Sequence, residues 1–149
     1  MTEHVQPGAF SPPMQEGPWR GWSIWTGREP FEELVGPFYT RREVDGSYTT
    51  GFRPGERNLN SLGNLHGGAI ATFADYSLFM IAYEAIRGRL SVTVTLNLEL
   101  MRAARAETLL TGRGEVLRTT NSLVFVRGVI TSEDAPIISF SGVIKLIKT

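Results

Sequence analysis

The stretch that decides the reading is HGGAIATFADYSLFMIAYEAIRG, His66 to Gly88. Ile70, Phe73, Ala74, Ser77, Leu78, Ile81, Ala82 and Ala85 recur at the three-to-four spacing of a helical face. Ala69, Phe79, Met80 and Tyr83 make the other faces apolar too. A helix apolar nearly all round needs cover on most sides. The spacing predicts one long buried helix that begins near His66 and ends near Gly88. Between Gly67 and Ile86 only Asp75 and Glu84 carry charge. A lone ionised carboxylate on a buried helix costs several kcal/mol unless it is paired, hydrogen-bonded or used. Asp75 therefore either bonds nearby Thr or Ser hydroxyls or faces a ligand.

Downstream the period changes. In SVTVTLNLEL, Val92, Val94, Leu96, Leu98 and Leu100 alternate with Thr93, Thr95, Asn97 and Glu99, which reads as a half-buried strand. Three more strands are expected near 107–118, 122–132 and 137–147, with a turn at SEDAP. The short linkers favour antiparallel neighbours. Upstream, residues 38–44 and 47–53 read as a hairpin around Asp45-Gly46. Before it, REPFEELVG reads as a short helix, with Pro30 in the first turn and Gly36-Pro37 as the stop. An antiparallel sheet wrapped around the one long helix satisfies both patterns, so the fold class is α+β. The sheet face and helix end left uncovered favour a dimer.

The chain has 149 residues, enough for one domain with a real core. Residues 1–18 are rich in Pro and Gly and read as a disordered tail, with a single domain over 19–149. Trp19, Trp22 and Trp25 fall within seven residues and read as packing anchors, on the domain or on a partner subunit. There is no cysteine, which removes thiol nucleophiles, disulfides and thiolate metal sites together. Fifteen basic residues balance fifteen acidic ones, so a nucleic-acid partner is not expected. The N-terminus lacks a signal peptide pattern, and the apolar run carries too many charges and hydroxyls for a membrane span. A cytoplasmic location, no membrane partner and no cofactor are the expectations.

The chemistry-bearing pattern is Asn60, then His66-Gly67-Gly68, then Asp75. Glycines at a helix start let another group approach the backbone. The first N–H groups of a helix lack intrahelical partners, and the dipole there favours negative charge. The Gly67 N–H, with Asn60 as a side-chain donor, could hold a developing oxyanion, a term worth roughly 2.7–4 kcal/mol per donor. Asp75 lies nine residues past His66, about 13 Å along a helix axis. One subunit cannot easily bring both to one substrate atom. Two antiparallel helices across a two-fold could, which argues for a site shared between subunits.

NSLGNLHGGAIATFAD resembles the signature of hotdog-fold acyl-CoA thioesterases of the phenylacetate-pathway (PaaI-like) type. The resemblance runs over residues 35–147. It implies a hotdog fold and hydrolysis of acyl-CoA to free acid and coenzyme A. By that resemblance Asp75 would be the general base or nucleophile, and the Gly67 N–H and Asn60 would polarise the carbonyl. His66 would hold the loop near the leaving thiolate. Thr93 on the strand after the helix would position water, with Thr95 as the alternative on the same strand. Asp75 and Thr93 would act with Asn60, His66 and Gly67 of the other subunit, in a homodimer that pairs into a homotetramer.

Gly68 and Phe79 are the expected contacts to the substrate body. Arg102 and Arg118 are the expected contacts to the coenzyme A phosphates, with Arg105 and Arg127 placed similarly. A hydratase would need a histidine five residues after Asp75, where Met80 stands, and the other histidine is His4. A metal centre is not expected, with one histidine in the folded part and no cysteine. The rival class is a non-catalytic acyl-CoA or lipid-binding hotdog domain.

Overall fold

A computed structural model describes residues 8–148. The chain runs α1 (Pro30–Val35), β1 (Phe38–Arg42), β2 (Tyr48–Phe52), a 3-10 turn (Glu56–Asn58), α2 (Gly67–Ile81), α3 (Tyr83–Ile86), β3 (Ser91–Leu100), β4 (Leu110–Thr119), β5 (Leu123–Ser132) and β6 (Ala135–Leu146). All six strands form one antiparallel sheet in the order β1-β2-β4-β5-β6-β3.

Local chemistry sets the turns. Asp45 accepts from the Ser47 N–H at 2.9 Å, and Gly46 sits at φ +86°, closing the first hairpin. Glu133 and Asp134 both have positive φ and join β5 to β6 in the two-residue turn expected within SEDAP.

Helix α2 lies on the inner face of the sheet. Phe73 and Leu78 are fully buried against Phe52, Leu110, Val124, Val126, Ile130, Ile138 and Ile144. The helix comes close because the strands beneath it carry glycines. A Cβ at Gly112 would meet Thr50 and Ser77, and one at Gly142 would meet Leu78. The polar pair at this crossing is satisfied internally, with Thr50 and Ser77 hydroxyls 2.6 Å apart.

Four sequence expectations change. The long helix stops at Ile81, where Ala82 breaks the α geometry. One further turn, α3, follows before Arg87 and Gly88 take positive φ. Strand β3 does not neighbour β4. Residues 101–109 carry the chain across to β2, and β3 pairs with β6 at the sheet edge. As an edge strand it is less covered than its alternation suggested: Val94 is 51% exposed, and Val92 and Leu100 are similar. A bulge between Thr93 and Thr95 also breaks the alternation.

The last change concerns the segment read as a disordered tail. Residues 1–7 lie outside the described residues. Residues 8–18 run against the Trp-rich segment, where the Ser11 and Met14 N–H groups donate to the Ile24 and Trp22 carbonyls. Phe10 packs with Trp25, Tyr48 and Tyr83. The tryptophans pack on their own domain. Trp19 and Trp22 lie over Gly51, where a Cβ would collide with both indoles, and Ser23 pairs with Thr40 to cover the β1 edge. Among the described residues no helix is long and apolar enough to cross a membrane.

Candidate active site

His66 is the N-cap of α2. Its Nδ1 accepts from the Gly68 N–H at 2.8 Å, so the other ring nitrogen carries the proton and points outward as a donor. A Cβ at Gly68 would lie 3.0 Å from that Nδ1, which explains the glycine there. Gly67 has nothing within 4 Å of such a Cβ, so the chain's own packing does not require a glycine. Its N–H makes no hydrogen bond among the described residues, and His66, Gly67 and Gly68 are all exposed.

Asn60 folds the loop that leads to this helix start. Its Oδ1 accepts from the Leu62 N–H at 2.9 Å and the Asn64 N–H at 3.1 Å. That fixes the oxygen toward the loop and leaves the amide N–H₂ as the outward group. Arg105 bridges to Asn64, and Ala104 accepts from the Leu65 N–H at 2.8 Å. The 101–106 loop thus buttresses the same turn.

Asp75 sits in the middle of α2, partly buried, on a seam of the helix that the sheet does not cover. Gly68, Ala71, Asp75 and Phe79 follow one another along that seam, each more exposed than the residues on the sheet side. Asp75 Oδ1 accepts from Thr93 Oγ1 at 2.6 Å. The bulge next to Thr93 turns this hydroxyl onto the helix, while Thr95 is exposed. Of the two threonines open from the sequence, Thr93 is therefore the one that meets Asp75. Burial pushes the Asp75 carboxyl above the ordinary carboxylate range, and the Thr93 hydroxyl works against that rise.

Helix α1 packs beside this position. Burial pushes the Glu32 carboxyl up to about 8, aided by the charges of Glu29 and then Asp75. Burial also raises Glu29, again with Asp75 as a contributor. Glu32 therefore holds its proton at pH values below about 8, and the charge of Asp75 is one cause. Sequence reasoning missed both glutamates. Nothing in the spacing of a six-residue helix announces which part of α2 it will lie against.

The structure brings Asp75 to Thr93 and groups Asn60, His66, Gly67 and Gly68. It does not bring the two groups together within one chain, because α2 separates them along its length. The arginines divide likewise. Arg102 follows β3, with its N–H on the Ile137 carbonyl, while Arg118 lies at the far end of β4 beside Phe125. Both are exposed. Arg127 is engaged with Glu115 at 2.6 Å.

The comparisons with known proteins agree with this architecture. The family model described as thioesterase superfamily matches residues 62–138, just over half the chain, and the chain belongs to that superfamily. It is similar to PA0474 of Pseudomonas aeruginosa, whose name places it among the esterases. The two are 29% identical over 118 residues, covering 78% of this chain and 88% of that protein. Among solved structures, zebrafish thioesterase superfamily member 2 superposes with a TM-score of 0.66 at 25% identity, covering 80% of this chain and 88% of that one.

The PaaI protein of the Escherichia coli phenylacetic acid degradation operon gives 0.69 at 18%, covering 81% and 86%. A Streptococcus pneumoniae hypothetical thioesterase solved with coenzyme A gives 0.69 at 18%, covering 80% and 94%. The fold is the hotdog fold.

Proposed function

We propose that this protein hydrolyses acyl-CoA thioesters to free acid and coenzyme A. The observation that carries the reading is Asp75. Its carboxylate is partly desolvated, holds a hydrogen bond from Thr93, and opens onto the uncovered seam of α2. A carboxylate raised toward neutrality is a stronger base than an exposed one, and a site that removes water from it suits a general base or nucleophile.

In the proposed reaction a water held by Asp75 and Thr93 attacks the thioester carbonyl, and Asp75 takes its proton. The carbonyl oxygen gains charge as the tetrahedral intermediate forms. The Gly67 N–H and the Asn60 amide receive that charge, and the α2 dipole favours it. Collapse breaks the C–S bond, the His66 Nε2–H stabilises the departing thiolate, and the proton taken by Asp75 passes to that thiolate or to solvent.

The reading requires a homodimer, because Asp75 and the Gly67 N–H lie at separate stations on α2. Two features support one. The open edge of β3 exposes Val92, Val94 and Leu100, and the α2 seam beside it is uncovered. Gly68 and Phe79 along the seam are the proposed contacts to the substrate body. Arg102 and Arg118, which lie apart in one subunit, are the proposed partners of the coenzyme A phosphates across two. A further pairing of dimers gives the tetramer, and the location is proposed to be the cytoplasm.

The test is thiol release from a panel of acyl-CoAs. Wild type should turn over at least one. Asp75→Asn keeps the shape, removes the base, and should lose roughly 10²–10⁴-fold in rate while staying folded. Binding of thioesters without any turnover would instead favour the non-catalytic acyl-CoA-binding class.

A further inference from the structure

A cleft of about 230 Å³ opens between the 24–27 segment, α1 and α2. Its walls are Ile24, Trp25, Pro37, Phe38 and Tyr76. Tyr76 follows Asp75 directly in α2, and its hydroxyl bonds Thr40. One side of the cleft is therefore largely aromatic. Asp75 does not line it, but its charge acts on Glu29 and Glu32, which do, so the cleft lies near the proposed reaction centre. Glu29, Glu32 and Glu33 of the α1 region also line it, and no basic residue does. Arg57 donates to the Gly36 carbonyl at the end of α1, and Arg28, which lies between Gly27 and Glu29 in the chain, is not among the lining residues.

We propose that this cleft receives the acyl group and that the charges of Glu29 and Asp75 make it a charge filter. It accepts acyl groups that are neutral or end in an ammonium, and rejects those that end in a second carboxylate. The inference rests on the acyl-CoA reading above and names the substrate class of that same site.

The physical argument is that the cleft already resists one carboxylate. An incoming carboxylate would meet the same desolvation and the same neighbours, Glu29 and Asp75, that oppose ionisation of Glu32. Like charges brought together in a partly dry cleft are a strong specificity element. An ammonium would meet the opposite, with the exposed acidic group of Glu29 at the rim as its partner.

The experiment compares three straight-chain acyl-CoAs of one length: unsubstituted, ω-carboxy and ω-amino. Both kcat/KM and binding of the matching non-hydrolysable thioethers, by thermal shift, are measured for wild type and for the Glu29→Gln/Glu32→Gln variant. Wild type should disfavour the ω-carboxy substrate by at least about tenfold against the unsubstituted one. The variant should shrink that ratio severalfold and lose any preference for the ω-amino substrate. Equal use of the ω-carboxy and unsubstituted substrates by wild type overturns the filter, as does a ratio the variant leaves unchanged.

If the variant does not fold, Glu29→Gln alone carries the test, because Glu29 is exposed. The thioether arm separates this proposal from the hydrolase reading. Discrimination in binding with no turnover keeps the filter and removes hydrolysis. Absence of any thioether binding removes the cleft as an acyl site.

Discussion

The two sides of α2 are nearly alike in sequence and unlike in the structure. The sheet side carries Phe73, Ala74, Ser77 and Leu78, all buried, fitted to glycines on the strands below. The open side carries Gly68, Ala71, Asp75 and Phe79, all with residual exposure. An apolar helix records only that it needs cover. It does not record whether the cover comes from its own sheet, a second subunit or a ligand. The difference shows in what each side can tolerate. A carboxylate on the sheet side would have no solvent and no partner. On the open side Asp75 keeps a hydroxyl and a route to solvent, and that is where the proposed chemistry sits.

The largest expected effect tests this contrast directly. Phe73→Ala removes a fully buried ring that touches Phe38 and Phe52, and should cost about 3–5 kcal/mol of stability in chemical denaturation. Phe79→Ala should cost much less and instead weaken self-association, read by sedimentation at decreasing concentration. Equal losses of stability from the two would show that the seam is core and that no partner covers it.

Much of this contrast was invisible in the sequence, for definite reasons. The start of the long helix, the Asp45-Gly46 hairpin, the strands and the SEDAP turn are encoded locally, by period and turn chemistry, and the structure has them near the expected places, although the helix breaks at Ala82. The place of β3 is not local. A nine-residue connection can lead to a neighbour or cross the sheet, and only the packing of α2 decides. The choice between Thr93 and Thr95 turned on a bulge, which leaves no mark in an alternating run. Glu32 stood in a short helix whose docking partner lies more than forty residues away. The Asn60, His66, Gly67 and Asp75 pattern was legible because a helix start and a lone charge are each locally anomalous.

An intermediate effect is expected at Thr93. Its hydroxyl donates to Asp75 and favours the ionised form. Thr93→Val removes that donor, so the Asp75 carboxyl rises further. A general base works only when deprotonated, so kcat/KM climbs with pH as Asp75 ionises. The variant's acid limb should therefore move to higher pH, and its plateau should fall by about tenfold, equivalent to ~1.4 kcal/mol. A lower plateau with an unmoved acid limb would mean that Thr93 holds water without tuning Asp75.

The smallest effect concerns α1, which lies beside the open seam and shares its electrostatics. Glu32 has its folded-state carboxyl raised from 4.5 to about 8, so folding favours its protonated form. Between those two values the unfolded chain has released this proton while the folded chain still holds it. Stability attributable to Glu32 is then complete below 4.5, declines as pH rises, and levels off above about 8. Glu32→Gln keeps the size and never ionises. Its melting temperature should match wild type in acid and exceed it by a few degrees at alkaline pH, the gap opening across that window. Glu29 and Asp75 are the charges that face Glu32, and both disfavour its ionisation. A constant gap at every pH would assign the change to packing. A gap that opens with pH would show that burial, with the charges of Glu29 and Asp75 added to it, holds Glu32 protonated in the folded chain beside the open seam.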